Sequence, residues 1–268
     1  MKVSVTIYSL NQYFQQGKMD VKSFIEYSGS LGFDAVDLGY YWKDEEEEIK
    51  LVPDWLRENN LKLAAYIVGN DFAQEEEKRE EQISLVKHGI ERAFQLKTKI
   101  LRIFVGDVKP GFPNYQTTKD ILISSFKEVS SFARDKGITL ALENHGKLCA
   151  KSDEILDLLS EVNSSNLKLN LDIGNFLGVN EDPVFSVRRL AHLAVHAHIK
   201  DFKKIDGKIV PVALGEGDVD LDACLKALKE NDYQGYLSLE YEAKIDSKTG
   251  VERGLDVLNK SLQKISLL

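Results

Sequence analysis

The sequence predicts an α/β chain whose eight strands close into one (β/α)8 barrel. Three observations carry this: β-rich runs recur roughly every 30 residues, a helical pattern follows each, and the later strands alternate polar with apolar residues. Such spacing is what successive parallel crossovers need, because parallel neighbours cannot be joined by a tight turn. The runs are 3–7, 35–38, 62–68, 100–105, 138–143, 167–172, 195–200 and 235–241. No linker, low-complexity tract or change of composition breaks the chain, so a single domain is expected over residues 1–268.

The helices between them have readable ends. Asp20 is placed to cap a helix over 21–31 that stops at Gly32, and Ser152 to open one over 153–162 with acids in its first turn. Thr118 is expected to cap a long helix carrying Ile121, Phe126, Val129 and Phe132, ended by Gly137. A helix over 75–95 opens on three glutamates and shows Ile83, Val86, Ile90 and Phe94 on one face. Its charge run, like that at 44–48, reads as a solvated face.

Eight such units can close into a barrel or wind into an open sheet, and the strand interiors decide. An open parallel sheet is covered on both faces, so its strands read as continuous apolar runs. Here Ile138, Leu140 and Leu142 share one parity, and Thr139, Ala141 and Glu143 the other. Residues 167–172 divide into three leucines against Lys168, Asn170 and Asp172; 195–200 into Val195, Ala197 and Ile199 against His196, His198 and Lys200. Residues 237–242 set Leu237, Leu239 and Tyr241 against Ser238, Glu240 and Glu242. One face packs on helices and the other lines a polar interior, as in a barrel.

Composition narrows the function classes. Thirty-five basic against 43 acidic residues give a net charge of −8. Without a dense basic stripe the chain is poorly suited to a phosphate backbone, so no nucleic-acid partner is expected. No apolar stretch approaches the ~20 residues of a membrane span, and the first residues lack the apolar core of a signal peptide, so no membrane partner and a cytoplasmic location are expected. Cys149 and Cys224 read as two free thiols. A homodimer is the default assembly expectation.

In such a barrel, functional residues stand at the C-terminal strand ends and face the axis. The polar parity of strands five to eight then brings together Glu143, Asp172, His198 and Glu240. Three carboxylates and an imidazole suit one divalent metal ion, Mn, Mg, Co or Zn. Without a cation their repulsion and desolvation would amount to several kcal/mol. The alternative pairs each acid separately with inward Lys200 or Arg102. Lys200, two residues beyond His198, is also placed to supply positive charge to a developing oxyanion.

The segments Leu142-Glu143-Asn144-His145-Gly146, Leu171-Asp172-Ile173-Gly174-Asn175, His196-Ala197-His198-Ile199-Lys200-Asp201 and Leu239-Glu240 resemble the xylose isomerase-like TIM barrel superfamily. Within it they are similar to the sugar isomerase/epimerase branch that includes D-tagatose 3-epimerase. Gly69-Asn70-Asp71-Phe72 and Leu214-Gly215-Glu216-Gly217-Asp218 also resemble that branch. The resemblance implies one divalent cation on Glu143, Asp172, His198 and Glu240, with Glu143 and Glu240 also serving as the acid/base pair. It implies a sugar or polyol-ketone substrate, epimerised or isomerised by loss of a proton beside the carbonyl. Two departures stand out. The position three after the metal Asp, often His in the epimerases, is Asn175, which binds hydroxyls but moves no proton. His145 matches a base of the related dehydroshikimate dehydratases, which makes it a catalytic candidate and makes dehydration of the dehydroshikimate or inosose kind the alternative.

Arg102 and Tyr66 are read with inward parity and, with Asn70, Asn175 and Glu216, complete the substrate-binding candidates. His196 reads as a buried hydrogen-bonded residue, His88 and His192 as structural, and Trp42 as packing. A nuclease similar to endonuclease IV would need further inward histidines where strands three and four offer Tyr66 and Arg102. A binding protein that keeps the pocket without turnover is the remaining alternative.

Overall fold

A computed structural model describes residues 1–266. The barrel strands are β1 (Lys2–Thr6), β2 (Ala35–Leu38), β3 (Lys62–Ile67), β4 (Ile100–Ile103), β5 (Thr139–Glu143), β6 (Leu167–Asp172), β7 (Ala194–Ile199) and β10 (Tyr236–Leu239). All are parallel, and β10 closes onto β1. All eight runs read from the sequence are strands of this barrel. Between β7 and β10 a hairpin of β8 (Asp201–Ile205) and β9 (Lys208–Val212) stands off as a separate two-stranded sheet. The alternation reading missed it, although Asp206 and Gly207, both at positive φ, form the two-residue Asp-Gly turn that marks a hairpin.

The helices are α1 (Asn11–Gln15), α2 (Val21–Ser30), α3 (Glu45–Glu58), α4 (Glu76–Gln95), α5 (Tyr115–Asp135), α6 (Ser152–Val162), α7 (Pro183–Leu190), α8 (Leu221–Glu230) and α9 (Ser247–Ser266). Asp20 caps α2 in a reciprocal box with Ser23. α5 starts earlier than expected: Asn114 accepts from the Thr117 N–H, while Thr118 is already helical and turns its hydroxyl back to the Asn114 carbonyl. α6 begins at Ser152 itself, whose N–H donates to Glu181. The acidic run at 44–48 is more than a solvated face. Asp44 caps α3, four glutamates form its first turn, and Glu45 and Glu46 reach Arg92 on α4.

Outward strand residues such as Leu101, Leu140, Leu142, Leu169, Leu171, Ile199 and Leu237 are fully buried against the helices. Inside, polar groups are buried: Ser4, Thr6, Asp37, Arg102, Asn170, His196 and Ser238 lie at or below 2% exposure. An interior built of charge rather than of packed aliphatics points the barrel toward a site, and the strand ends show where it lies.

Candidate metal centre and its cavity

Glu143 ends β5, Asp172 ends β6, His198 is the penultimate residue of β7, and Glu240 follows β10, its N–H donating to the Ile199 carbonyl. All four side chains are buried, and each offers a ligand atom within 4.8 Å of the others. His198 Nδ1 lies 3.3 Å from both Glu143 Oε2 and Glu240 Oε2, without the angle of a hydrogen bond to either. Asp172 Oδ1 accepts the N–H groups of Gly174 and Asn175, which leaves Oδ2 free of any hydrogen bond although Lys200 Nζ is 3.0 Å away. Asp172 Oδ2 and His198 Nδ1, both without a hydrogen bond, lie with two more carboxylates close enough to share a divalent cation. On the far side of the imidazole, His198 Nε2 is 3.6 Å from Asp37 Oδ2, which also meets His196 at 2.9 Å and accepts the Ser238 hydroxyl at 2.6 Å. Nε2 makes no hydrogen bond at that distance, but the Asp37 charge beside it favours a proton on Nε2 and so leaves Nδ1 available to a cation.

The charges agree with this. Burial pushes the Glu143 carboxyl up, yet the His198 and Arg102 charges outweigh it and hold the group at about 2. Glu240 is held well below the usual range, burial again overcome by Lys200 and His198. For Asp172 burial wins over Lys200 and raises the group to about 7. Burial works against a charged His198, but Glu143 and Glu240 raise it well above its ordinary value. The two glutamates favour positive charge at Nδ1, and a metal ion would replace that proton.

Above the ligands a cavity of about 470 Å³ opens, with Glu143 and Glu240 in its floor and Glu242 and Arg102 at its sides. Tyr8, Tyr40, Tyr41, Phe104 and His145 form the remaining wall. Arg102 Nε sits 3.3 Å from Glu143 Oε2, and its other nitrogens donate to the Val68 carbonyl and the Tyr40 hydroxyl.

A family model described as xylose isomerase-like TIM barrel matches residues 25–261. The chain belongs to that family. Among curated relatives it is 26% identical over 204 residues to an uncharacterised protein of Methanocaldococcus jannaschii, covering 72% of this chain and 69% of the other. An inosose dehydratase of Clostridium botulinum is 27% identical over 139 residues, 46% of this chain and 47% of that one, so the chain spans about half the length of that dehydratase. An L-ribulose-5-phosphate 3-epimerase of Escherichia coli is 24% identical over 263 residues, 91% and 90% of the two chains. Among solved structures, a D-tagatose 3-epimerase-like protein superimposes with a TM-score of 0.76 at 23% identity, covering 98% of this chain and all of the other. An IOLI protein with a bound zinc atom does so with a TM-score of 0.79 at 19% identity, covering 99% and 98%.

Within this xylose isomerase-like barrel, the expected site residues fall into two groups. Glu143, Asp172, His198 and Glu240 converge, Arg102 reaches Glu143, and Asn175 approaches it at 3.4 Å. His145 stands exposed at the rim, tilted against Phe104 at 4.5 Å. Lys200 is deeper than an oxyanion partner should be, its ammonium held by Asp172, Glu240 and Glu242. Tyr66 corrects the parity reading: pairing sets Ile67 beside Arg102 and Ala65 beside Asp37, so Tyr66 faces outward. Its hydroxyl donates to Glu45, and its ring stacks on Trp42. Asn70 uses both ends of its amide on the Phe104 backbone, a clip that shapes the loop. Glu216 is exposed and lines no part of the cavity, because its loop is wrapped around Asp201, which accepts the N–H groups of Gly215, Gly217 and Val219. A Cβ at Gly217 would stand 2.0 Å from the Asp201 carboxylate, which explains that glycine. The sequence reading passed over Asp37, Glu242 and Asn144. Asn144 clips the Asp172 backbone as Asn70 clips Phe104. Glu242 shares the polar parity of Glu240, a signal that was available.

Proposed function

We propose that the protein is a divalent-metal-dependent isomerase or epimerase of a sugar or polyol ketone, acting by removal of a proton beside the carbonyl through an enediolate. The observation that carries this reading is the buried four-residue set with two atoms that lack a hydrogen bond, roofed by a cavity into which only Glu143 and Glu240 of the four emerge. Glu143, Asp172, His198 and Glu240 would hold the cation, which when bound supplies charge stabilisation to the oxygens of the enediolate. The two glutamates come from opposite neighbours of the β6–β7 pair, β5 and β10, so they can address a planar intermediate from two sides. One removes the proton and the other returns one. Lys200, behind Glu240, offsets negative charge among the carboxylates and orients Glu240. Arg102 does the same for Glu143. The rings of Tyr40, Tyr41 and Phe104 give the reacting unit an apolar face to pack on.

Dehydration is the second reading, supported by the inosose dehydratase relatives and by His145 at the cavity rim, which would act there as the base. It begins with the same enolisation. The test is to incubate ketoses and inososes with the metal-supplied protein in deuterated water. Deuterium entering recovered or epimerised substrate supports the first reading, and a new ultraviolet-absorbing enone supports the second. Neither event across the panel would overturn both.

A further inference from the structure

The cavity continues past its aromatic rim. Tyr8, His145 and Glu242 are shared with an outer chamber of about 340 Å³, bounded further out by Asn11, Gln12, Pro211 of the β8–β9 hairpin and Ser247. Two adjoining spaces of this size enclose more than one sugar ring requires.

Their chemistry is selective. Among the described residues no lysine lines either chamber, and the one arginine that does is buried at the inner end with its nitrogens already engaged. Barrels of this kind take phosphate at a helix start near the last strands. Here α9 starts beside the outer chamber, but the Asp246 carboxylate already accepts the Thr249 N–H there, and Glu242 turns a carboxylate to the chamber while its Oε1 takes the Lys200 ammonium from behind. A phosphate would be repelled. A neutral hydroxyl would not. Ser247, 1% exposed, has a buried hydroxyl with no partner, and it lines this chamber. Leaving such a group unpaired costs about 1–3 kcal/mol, which a ligand hydroxyl would recover. Inside, the rings of Tyr40, Tyr41 and Phe104 suit the C–H face of a sugar.

We propose that the substrate is an uncharged, unphosphorylated keto sugar bearing a second hydroxylated unit, with the reacting unit in the inner chamber and the second unit in the outer one, hydrogen-bonded to Ser247. This rests on the enolisation reading of the inner chamber.

The test measures binding of D-fructose, D-fructose 6-phosphate and lactulose, a galactosyl ketose, to the Zn²⁺-supplied protein by titration calorimetry, beside deuterium uptake into D-fructose. Lactulose should bind at least about tenfold tighter than D-fructose, and the phosphate ester weakest of the three. Ser247→Ala should weaken lactulose at least about threefold. Because the hydroxyl has no protein partner, a purely structural serine would lose neither stability nor binding on this change. Ser247→Thr, which keeps the hydroxyl, is the second variant and should bind lactulose more tightly than Ser247→Ala. Equal or tighter binding of the phosphate ester overturns the proposal. So does lactulose binding no tighter than D-fructose, even where deuterium uptake upholds the inner-site reading. If no sugar binds and no deuterium enters, the proposal falls together with that reading.

Discussion

The two halves of the barrel do different work. The carboxylates and imidazole of the candidate metal centre stand at the ends of β5, β6, β7 and β10, while the segments after β1, β2 and β4 supply Tyr8, Tyr40, Tyr41 and Phe104. One half holds charge at fixed positions, and the other encloses the space above it with rings. The difference is one of placement: strand ends hold charged groups rigidly, and the segments that follow strands give the cavity its shape.

Removing a group from the charged half should have the largest effect. Glu240→Gln keeps the shape and the hydrogen bond to Lys200 but loses the base, and kcat should drop by about 10³-fold or more with the thermal midpoint near wild type. A wild-type rate would take Glu240 out of the proton transfer. Asp37 lies across the barrel on β2 but stands behind the imidazole of the charged half; Asp37→Asn should weaken metal affinity by about 10–100-fold, read by competition with a chelating dye, because His198 loses the negative charge beside its Nε2. The same charged half should show pH dependence. Proton and cation compete for Asp172, raised to about 7, and for His198, raised well above its ordinary value, so metal affinity should climb as pH rises from 5 and keep climbing through 8. Flat affinity from pH 5 to 8 would contradict the burial of that carboxyl.

The aromatic half should respond more mildly and in a different constant. Tyr41→Ala should raise KM about 3–10-fold with little change in kcat, in keeping with the ~0.5–1.5 kcal/mol of a ring contact. The smallest effect belongs to Tyr66, which faces the helices. Tyr66→Phe should lower stability by about 1 kcal/mol through loss of its hydrogen bond to Glu45, and leave kcat/KM within about twofold. A large catalytic defect there would return Tyr66 to the pocket.

The same division explains what the sequence made legible. In β5, β6, β7 and β10 the inward residues are polar, so alternation shows which side chains meet at the axis. In β3 the run Leu63-Ala64-Ala65-Tyr66-Ile67 is apolar on both faces, and no pattern tells Tyr66 from Ile67; only the pairing with β4 does. Asn70 and Glu216 failed for another reason. Their motifs exist to fold loops, Asn70 onto the Phe104 backbone and the 214–218 segment onto Asp201, and a short motif looks the same whether it binds a ligand or its own chain. The aromatic wall went unread because Tyr8, Tyr40, Tyr41 and Phe104 follow three different strands, with no spacing that ties them together.

The most direct test of the central claim is the metal content of the purified protein, measured by plasma mass spectrometry beside Asp172→Ala. The wild type should retain about one divalent ion per chain, or take one up when Mn²⁺ or Zn²⁺ is supplied, and the variant should lose it while remaining folded. A wild type that binds neither ion, or a variant that binds as well as wild type, would mean that the buried carboxylates are balanced by Lys200 and Arg102 alone, and the metal centre would not exist.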